Sequence, residues 1–219
     1  MFLNRRTALH RSNQPASAMG ALILAALVLA PPGRGAELSG QALAKALRHG
    51  GYVVLMRHAH SPDAPPMKPS PGDPDHEREL DATGRSTASA MGAAIRALHI
   101  RVGEVWSSPT YRALQTIRLA GLPKPRIEQA LGDHGQSMQA ATGEQSAWLR
   151  RSLAQAPRRG ADTFIVTQAP NIVGALGTAA SGLTDGEALV FRPRRAAGSQ
   201  LVGRIPIEDW PSLAARSRR

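Results

Sequence analysis

Two histidines and an arginine follow directly on a run of apolar residues near the start of this 219-residue chain. The run from Tyr52 to Met56 is apolar without alternation, which is typical of a parallel strand covered on both faces. Arg57, His58 and His60 then lie at or just beyond the carboxyl end of that strand. Open α/β sheets bind ligands in the crevice at such strand ends, so the stretch predicts a binding or catalytic site.

Two further polar clusters follow predicted strands later in the chain. One comes after the strand Val102–Trp106 and the other after the strand Thr163–Thr167. Because the carboxyl ends of parallel strands can share one crevice, we expect all three clusters to converge. The side chains in these two clusters are Ser107, Ser108, Arg112, Gln168 and Asn171.

Two arginines, a histidine and a helix N-terminus at one place would form an anion site. The planar donors of Arg57 and Arg112 match phosphate oxygens. A helix predicted to begin at Ser108 and Pro109 would add free backbone N–H groups. His58 at the centre of such a site could be a nucleophile towards phosphorus.

Helical and strand patterns alternate along the chain and predict a three-layer α/β/α sandwich with a mainly parallel central sheet. Two later stretches, Ala188–Phe191 and Gln200–Ile205, are predicted as antiparallel strands that close one edge. The segment Ser61–Pro74 is rich in proline and is predicted as a loop. The chain end from Arg216 is expected to be frayed. Helices are predicted at 38–49, 83–98, 109–120, 143–156 and from 171.

Residues 1–36 have the features of an export signal, and residues 37–219 are predicted to form a single domain. Arg5 and Arg6 precede an apolar stretch, Ala21–Ala30, that is short for a membrane span. Asn4–Leu9 loosely resembles a twin-arginine signal. The expected localisation is periplasmic or secreted, with no stable membrane insertion after cleavage. The alternative is an uncleaved membrane anchor.

The composition narrows the chemistry and the partners. The formal charge is +11, and the absence of cysteine excludes disulfides, thiolate catalysis and cysteine-ligated metals. A basic surplus can steer phosphorylated substrates, nucleic acid or anionic membranes. No nucleic-acid motif is present, so no nucleic-acid partner is expected, and a soluble basic surface is the simpler interpretation.

Four segments in the right order resemble the histidine phosphatase superfamily, which includes phosphoglycerate mutases and phosphohistidine phosphatases. Leu55–Ser61 (LMRHAHS) is similar to its RHG/RHA motif, and Ser107–Thr116 (SSPTYRALQT) is similar to SSPxxRAxQT. Leu80–Arg85 (LDATGR) resembles the segment LTxxGRxQA between them. Thr163–Ile172 (TFIVTQAPNI) resembles the last motif, hhVTHxxNI.

The resemblance implies a phosphoglycerate mutase-like fold and phosphoester hydrolysis through a phosphohistidine at His58, with no metal or other cofactor. Arg57 and Arg112 would hold the phosphate oxygens. The proton donor would be an acid in a variable loop, where Asp133 is the candidate and Glu128 the alternative. Phosphorylated small molecules or phosphoproteins would be the substrates. The motifs indicate neither the particular substrate nor the oligomeric state.

The last motif departs from the family at Gln168, where the second histidine is expected. A glutamine amide can still donate a hydrogen bond to phosphate, but it carries no charge and exchanges no proton. Three hypotheses follow: a slow or specialised phosphomonoesterase, a pseudoenzyme that binds a phosphorylated ligand, and a basic cell-envelope interaction protein. A mutase is disfavoured because the chain has little room for the insertions of larger mutases.

Overall fold

The computed structural model describes residues 37–38, 40–62, 78–132, 140–194 and 198–217. The predicted export signal at 1–36, most of the predicted loop at 61–74, and Asp133 lie outside these residues. None of the helices within the described ranges is both long enough and apolar enough to cross a membrane.

Six strands form one mixed sheet in the order β3-β2-β4-β1-β5-β6. The first four are parallel, and β5 and β6 are antiparallel to their neighbours at one edge. This topology confirms the predicted mainly parallel sheet with an antiparallel edge. The strands are β1 Val53–Arg57, β2 Val102–Ser107, β3 Arg126–Ile127, β4 Asp162–Thr167, β5 Ala188–Arg194 and β6 Gly198–Ile205.

Within the described residues, six α-helices connect and cover these strands. Asp81 caps α2 by accepting the Gly84 N–H at 2.8 Å, and Gly121 ends α3 in the left-handed conformation. Three short 3-10 turns lie at Gln129–Leu131, Gly177–Ala180 and Ile207–Asp209. The helices are α1 Gly40–His49, α2 Ala82–Ala97, α3 Tyr111–Ala120, α4 Gly143–Leu153, α5 Ala169–Leu176 and α6 Trp210–Arg216.

Alternate residues of β1 enter two different hydrophobic cores, which explains the uninterrupted apolar run in the sequence. Val54 and Met56 pack with α1, α2, α3 and α6 on one face. Val53 and Leu55 pack with α4 and α5 on the other. Helices on both faces of a central sheet make the predicted three-layer sandwich. They fix β1 as an inner strand, so its carboxyl end lies among the carboxyl ends of the other parallel strands.

Two local predictions were wrong, and one helix was not predicted. Helix α3 begins at Tyr111 with Thr110 as its N-cap, because Ser108 Oγ instead accepts the Thr110 N–H in a preceding bend. Helix α5 begins at Ala169, earlier than expected, with Gln168 as its N-cap. Helix α6, which ends at Arg216, was not predicted; the side chains of Trp210 and Leu213 hold it against the core. The expected fraying of the last residues falls mostly outside the described residues.

A buried carboxylate lies at the opposite end of the sheet from His58. Asp162, at the start of β4, is fully buried, and its Oδ1 accepts the Tyr52 N–H at 2.9 Å. Its Oδ2 has no hydrogen-bond partner among the described residues. Burial raises the pKa of Asp162 from 3.8 to about 7, so the folded protein binds a proton there that the unfolded chain releases.

We therefore expect Asp162→Asn to remove part of the pH dependence of stability. Because folding raises the pKa of Asp162, the protonated side chain makes its full contribution to the free energy of unfolding below pH 4. That contribution is lost as pH rises towards 7. Above pH 7 the variant should be more stable than wild type by up to roughly 4 kcal/mol, and near pH 4 the two should be similar. Urea unfolding at pH 5 and pH 8 measures this difference. Asp209→Asn, at an exposed site, is the control, and parallel pH profiles for wild type and Asp162→Asn would contradict the assignment.

Candidate active site

His58 follows the last residue of β1 and is 3% exposed. Its Nδ1 lies 2.8 Å from the Ala59 carbonyl oxygen, so Nδ1 carries the proton and donates it. The other ring nitrogen, Nε2, accepts a hydrogen bond from Arg112 Nε at 3.0 Å. The lone pair of Nε2 therefore points towards the cationic side of the site.

The imidazole of His58 is held in its neutral form. Burial is the largest cause, and the positive charges of Arg112, Arg57 and Arg78 add to it, against an opposing hydrogen bond to Ala59. Together they lower the pKa of His58 from 6.5 to about 3. A neutral imidazole with an unprotonated Nε2 has the protonation state that a nitrogen nucleophile needs at neutral pH.

Thr116 connects the helix that carries Arg112 to the segment that carries His58. Its hydroxyl donates to the Arg112 carbonyl at 2.8 Å and accepts the Ala59 N–H at 3.1 Å. Both bonds are buried. The final threonine of the SSPTYRALQT segment thus sets the distance between the arginine and the histidine.

Arg57 is paired with Asp185, which lies in the chain between the 3-10 turn Gly177–Ala180 and β5. Arg57 Nη2 is 2.7 Å from Asp185 Oδ1, and each side chain is 24% exposed. The segment is fixed to β1 because the Gly186 N–H donates to the His58 carbonyl at 2.9 Å. Arg57 Nε is buried with no hydrogen-bond partner in the described part of the chain, which leaves a donor for an anion.

Asp185→Asn should separate the positioning of Arg57 from its charge. The substitution removes the ion pair and one negative charge near the site, so affinity for inorganic phosphate should be retained or increased. We expect kcat to fall roughly tenfold, because Arg57 would be less well oriented in the transition state. Steady-state kinetics with phosphate inhibition measure both effects.

Glu104→Gln is the matched control for that experiment. Glu104 also forms an ion pair with an arginine, Arg158, but neither residue lines the cavity. Kinetic constants should not change in this variant. Equal effects of the two substitutions, or a rise in KM with kcat unchanged in Asp185→Asn, would contradict a positioning role for Asp185.

His60 is separated from His58 by the structure and lies at the rim. Its Nδ1 is 2.9 Å from Asp81 Oδ2, and its Nε2 is 3.8 Å from Asp185 Oδ2. The Gly84 N–H donates to Asp81, and that bond, ahead of His60, holds the pKa of Asp81 below its ordinary value. A Cβ on Gly84 would lie 2.1 Å from the His60 carbonyl oxygen, so glycine is required where α2 approaches this segment.

Gln168 is 1% exposed and belongs to a network of hydroxyl groups. Its Nε2 donates to Ser108 Oγ at 2.6 Å and to Thr110 Oγ1 at 2.7 Å. Its Oε1 accepts from Thr167 Oγ1 at 2.9 Å. Both N–H groups of the amide are therefore used within the protein. The sequence-based expectation that this amide donates to phosphate is not reflected in these contacts, although Gln168 lines the cavity.

Arg78 is a third arginine at the site that the sequence did not reveal. It lines the cavity with Arg57 and Arg112, and its charge contributes to the lowered pKa of His58. Gln115 fixes the neighbouring chain, since its Oε1 accepts the Leu80 N–H at 2.7 Å. The only signal was position: Arg78 lies just before the LDATGR segment, at the end of a polar loop that has no periodicity.

Four of the five predicted site residues line one cavity of about 560 Å³. The fifth, Asp133, lies outside the described residues and stays a prediction. Across the described ranges, no group of three or more His, Asp or Glu side chains could hold a metal ion. The four are Arg57, His58, Arg112 and Gln168.

Comparison with known proteins agrees with this fold and with the motifs. The sequence profile of the histidine phosphatase superfamily (branch 1) matches residues 53–158. No curated protein sequence matches the chain significantly. The profile match covers 106 of the 219 residues and makes the chain similar to the histidine phosphatase superfamily. The profile match ends before Gln168.

Solved structures that are similar to this one include several phosphatases. The protein histidine phosphatase SixA, in complex with tungstate, is 18% identical with a TM-score of 0.54, over 72% of this chain and 98% of that chain. A putative phosphohistidine phosphatase SixA from Agrobacterium tumefaciens is 19% identical, with a TM-score of 0.49. The match covers 71% of this chain and 98% of that chain. Phosphoserine phosphatase from Entamoeba histolytica, in complex with 3-phosphoglyceric acid, is 14% identical, with a TM-score of 0.46. The match covers 71% of this chain and 96% of that chain. The likeness to the first of these, whose TM-score is above 0.5, shows the fold alone, a phosphoglycerate mutase-like α/β sandwich.

Proposed function

We propose that the protein is a metal-independent phosphomonoester hydrolase that works through a phosphohistidine at His58. The observation that carries the proposal is the state of the imidazole. Its Nδ1 proton is fixed on the Ala59 carbonyl, and Nε2 is unprotonated within a cluster of arginines. The match of residues 53–158 to the histidine phosphatase superfamily supports this chemistry.

The first half of the reaction transfers the phosphoryl group to the protein. His58 Nε2 donates its electron pair to phosphorus, the bond from phosphorus to the ester oxygen breaks, and that oxygen keeps the bonding electrons. Arg57 and Arg112 bind the equatorial oxygens, where charge is distributed in the transition state. Arg112 moves its hydrogen bond from Nε2 to a phosphoryl oxygen, which frees the nucleophile.

The second half returns the free histidine. Water attacks the phosphohistidine, the bond from phosphorus to Nε2 breaks, and inorganic phosphate leaves. The departing alcohol takes a proton from a carboxylic acid in the first half, and the resulting carboxylate accepts one from water in the second. Asp133 is the proposed acid. Glu128 is less suitable because its carboxylate is paired with Arg126.

Because Gln168 takes the place of a histidine, we expect the protein to hydrolyse phosphomonoesters slowly. Its two N–H groups bind Ser108 and Thr110, so the site lacks the charged donor that a histidine would provide there. Loss of one donor to a developing oxyanion typically lowers rates by about a hundred- to a thousandfold. Anion binding depends instead on Arg57, Arg78 and Arg112, which all line the cavity.

The same observation supports a second candidate, a pseudophosphatase that binds a phosphorylated ligand without turnover. Release of inorganic phosphate from a generic phosphomonoester by purified protein distinguishes the two. Under the first candidate, phosphate release is slow but requires His58. Under the second, phosphate or vanadate raises the thermal unfolding temperature while no ester is hydrolysed. If the protein shows no hydrolysis and no anion-dependent stabilisation, both candidates are contradicted.

A further inference from the structure

The imidazole of His60 lies between two carboxylates. Its Nδ1 is 2.9 Å from Asp81 Oδ2, and its Nε2 is 3.8 Å from Asp185 Oδ2. The side chain of His60 is 46% exposed and lies at the rim of the cavity. One of the two carboxylates, that of Asp185, also pairs with Arg57, which lines the cavity. His60 is therefore connected to the cavity through Asp185.

The contact with Asp81 fixes where His60 takes up a proton. The Gly84 N–H is the largest cause of the lowered pKa of Asp81, so Asp81 is a carboxylate at neutral and mildly acidic pH. Because a carboxylate only accepts hydrogen bonds, His60 Nδ1 carries a proton whether the ring is neutral or charged. The second proton then binds Nε2, the nitrogen that faces Asp185. Histidine is the side chain whose charge changes between pH 5 and pH 8.

The pair of Arg57 and Asp185 is weakly directed. Arg57 Nη2 is 2.7 Å from Asp185 Oδ1, but Oδ1 is buried without a hydrogen bond to any described residue, and the same holds for Arg57 Nε. The contact is thus an attraction between charges without the alignment that makes a charge-assisted hydrogen bond strong. A second cation beside Oδ2 competes for the same carboxylate.

The backbone on both sides of Asp185 is fixed to β1 and to the residue after it. The Gly186 N–H donates to the His58 carbonyl at 2.9 Å, and the Arg57 N–H donates to the Glu187 carbonyl at 3.2 Å. These bonds hold the carboxylate of Asp185 within reach of both of its cationic partners. A shift between the two partners therefore requires only a turn of the side chain.

Further charged groups near this histidine come from the segment before α2 and from α2 itself. Arg78 Nη2 donates to the Ser61 carbonyl at 3.1 Å. The Glu79 carboxylate accepts from Gln115 Nε2 at 3.3 Å, and Arg85 donates to a backbone carbonyl just before α2. Each of these three side chains contacts another group of the protein, whereas the two carboxylates described above face the imidazole itself.

We propose that His60 is a positioning residue that acts on Arg57 through Asp185: a proton on His60 Nε2 draws the carboxylate away from Arg57, and anions then bind the cavity more tightly. The proposal rests on the proposed function, because it concerns anion binding at that same site. His60 acts on the guanidinium and does not itself bind the phosphoryl group. Phosphoryl transfer to His58 therefore continues without it.

Sulfate is a suitable probe, because it is a dianion at both pH 5 and pH 8 and is not hydrolysed. Isothermal titration of the full chain gives the ratio of its dissociation constant at pH 8 to that at pH 5. This ratio should be about threefold larger in wild type than in His60→Gln, which is the size of one partly exposed ion pair. Equal ratios in wild type and His60→Gln would overturn the proposal.

His49→Gln is the matched control for this titration. His49 ends α1, before β1, and its Nδ1 is 2.7 Å from the Lys45 carbonyl oxygen, so it lies at the opposite end of β1 from His58. The ratio in His49→Gln should equal that of wild type. A reduction as large as that in His60→Gln would show that the effect is not specific to the rim, and it would contradict the proposal.

The route through Asp185 is tested in a second background. If the proton acts through this carboxylate, His60→Gln should no longer change the ratio once Asp185→Asn has removed the negative charge. If His60→Gln changes the ratio equally in both backgrounds, its charge acts directly on the anion and the proposal is wrong. Other groups that titrate between pH 5 and pH 8, such as Asp162, are present in every variant and cancel in the comparison.

Binding to wild type separates this proposal from the proposed function. If sulfate binds wild type and His60→Gln with the same pH dependence, the role of His60 is wrong and the anion site stands. If neither sulfate nor inorganic phosphate binds wild type at either pH, the proposed function fails, and the role of His60 fails with it.

Discussion

His58→Ala is expected to lower the rate of phosphomonoester hydrolysis by more than about a thousandfold, because removal of a covalent nucleophile eliminates the two-step route. The structure gives a second readout. His58 Nε2 is the proposed point of attachment, so brief incubation with a ³²P-labelled ester should label wild type and leave the variant unlabelled. The label should be lost in acid and retained in alkali, as expected for a phosphoramidate.

His60→Ala is the control, two residues away in the sequence. His60 binds Asp81 at the rim and does not line the cavity, so this variant should still form the labelled intermediate. Labelling of His58→Ala, or loss of label only in His60→Ala, would show that the nucleophile is not His58.

Gln168→His is expected to raise turnover by about tenfold or more, towards the hundredfold that one oxyanion donor provides. In wild type both amide N–H groups bind the hydroxyls of Ser108 and Thr110, so a histidine N–H directed into the cavity would be an added donor. Initial rates with a generic phosphomonoester, at saturating concentration, measure the gain.

The control for this gain is Gln168→Ala, which removes the amide without adding a donor. We expect it to be no faster than wild type. An equal increase in both variants would mean that the amide itself inhibits the reaction. No increase in Gln168→His would place the limitation elsewhere, with the proton donor as the next candidate.

The sequence predicted those parts of the fold that depend on local pattern. The apolar run of β1 predicted a strand buried on both faces, and Val53 and Val54 do enter separate cores. The polar residues directly after that run were correctly placed at the carboxyl edge of the sheet. Periodicity and strand-end position were sufficient because neither depends on distant contacts.

The features that the sequence did not predict depend on contacts between distant residues. The two hydroxyls that accept the amide N–H groups of Gln168 are 58 and 60 residues away in the chain. Arg78 is placed by Gln115, 35 residues beyond Leu80. No local pattern encodes either distance. The helical end of the chain was missed for a related reason, since the burial of Trp210 rather than helix propensity stabilises it.

The hydrogen bond from Arg112 Nε to His58 Nε2 has a consequence for the reactivity of the imidazole. The lone pair of Nε2, the proposed nucleophile, is already shared with a guanidinium. A neutral acylating or alkylating reagent offers Arg112 nothing to bind in exchange, so Nε2 should react slowly with it. An anionic reagent does offer an exchange, because its oxygens attract the guanidinium and release Nε2. Under the proposed function, Arg112 thus makes the reactivity of His58 conditional on negative charge.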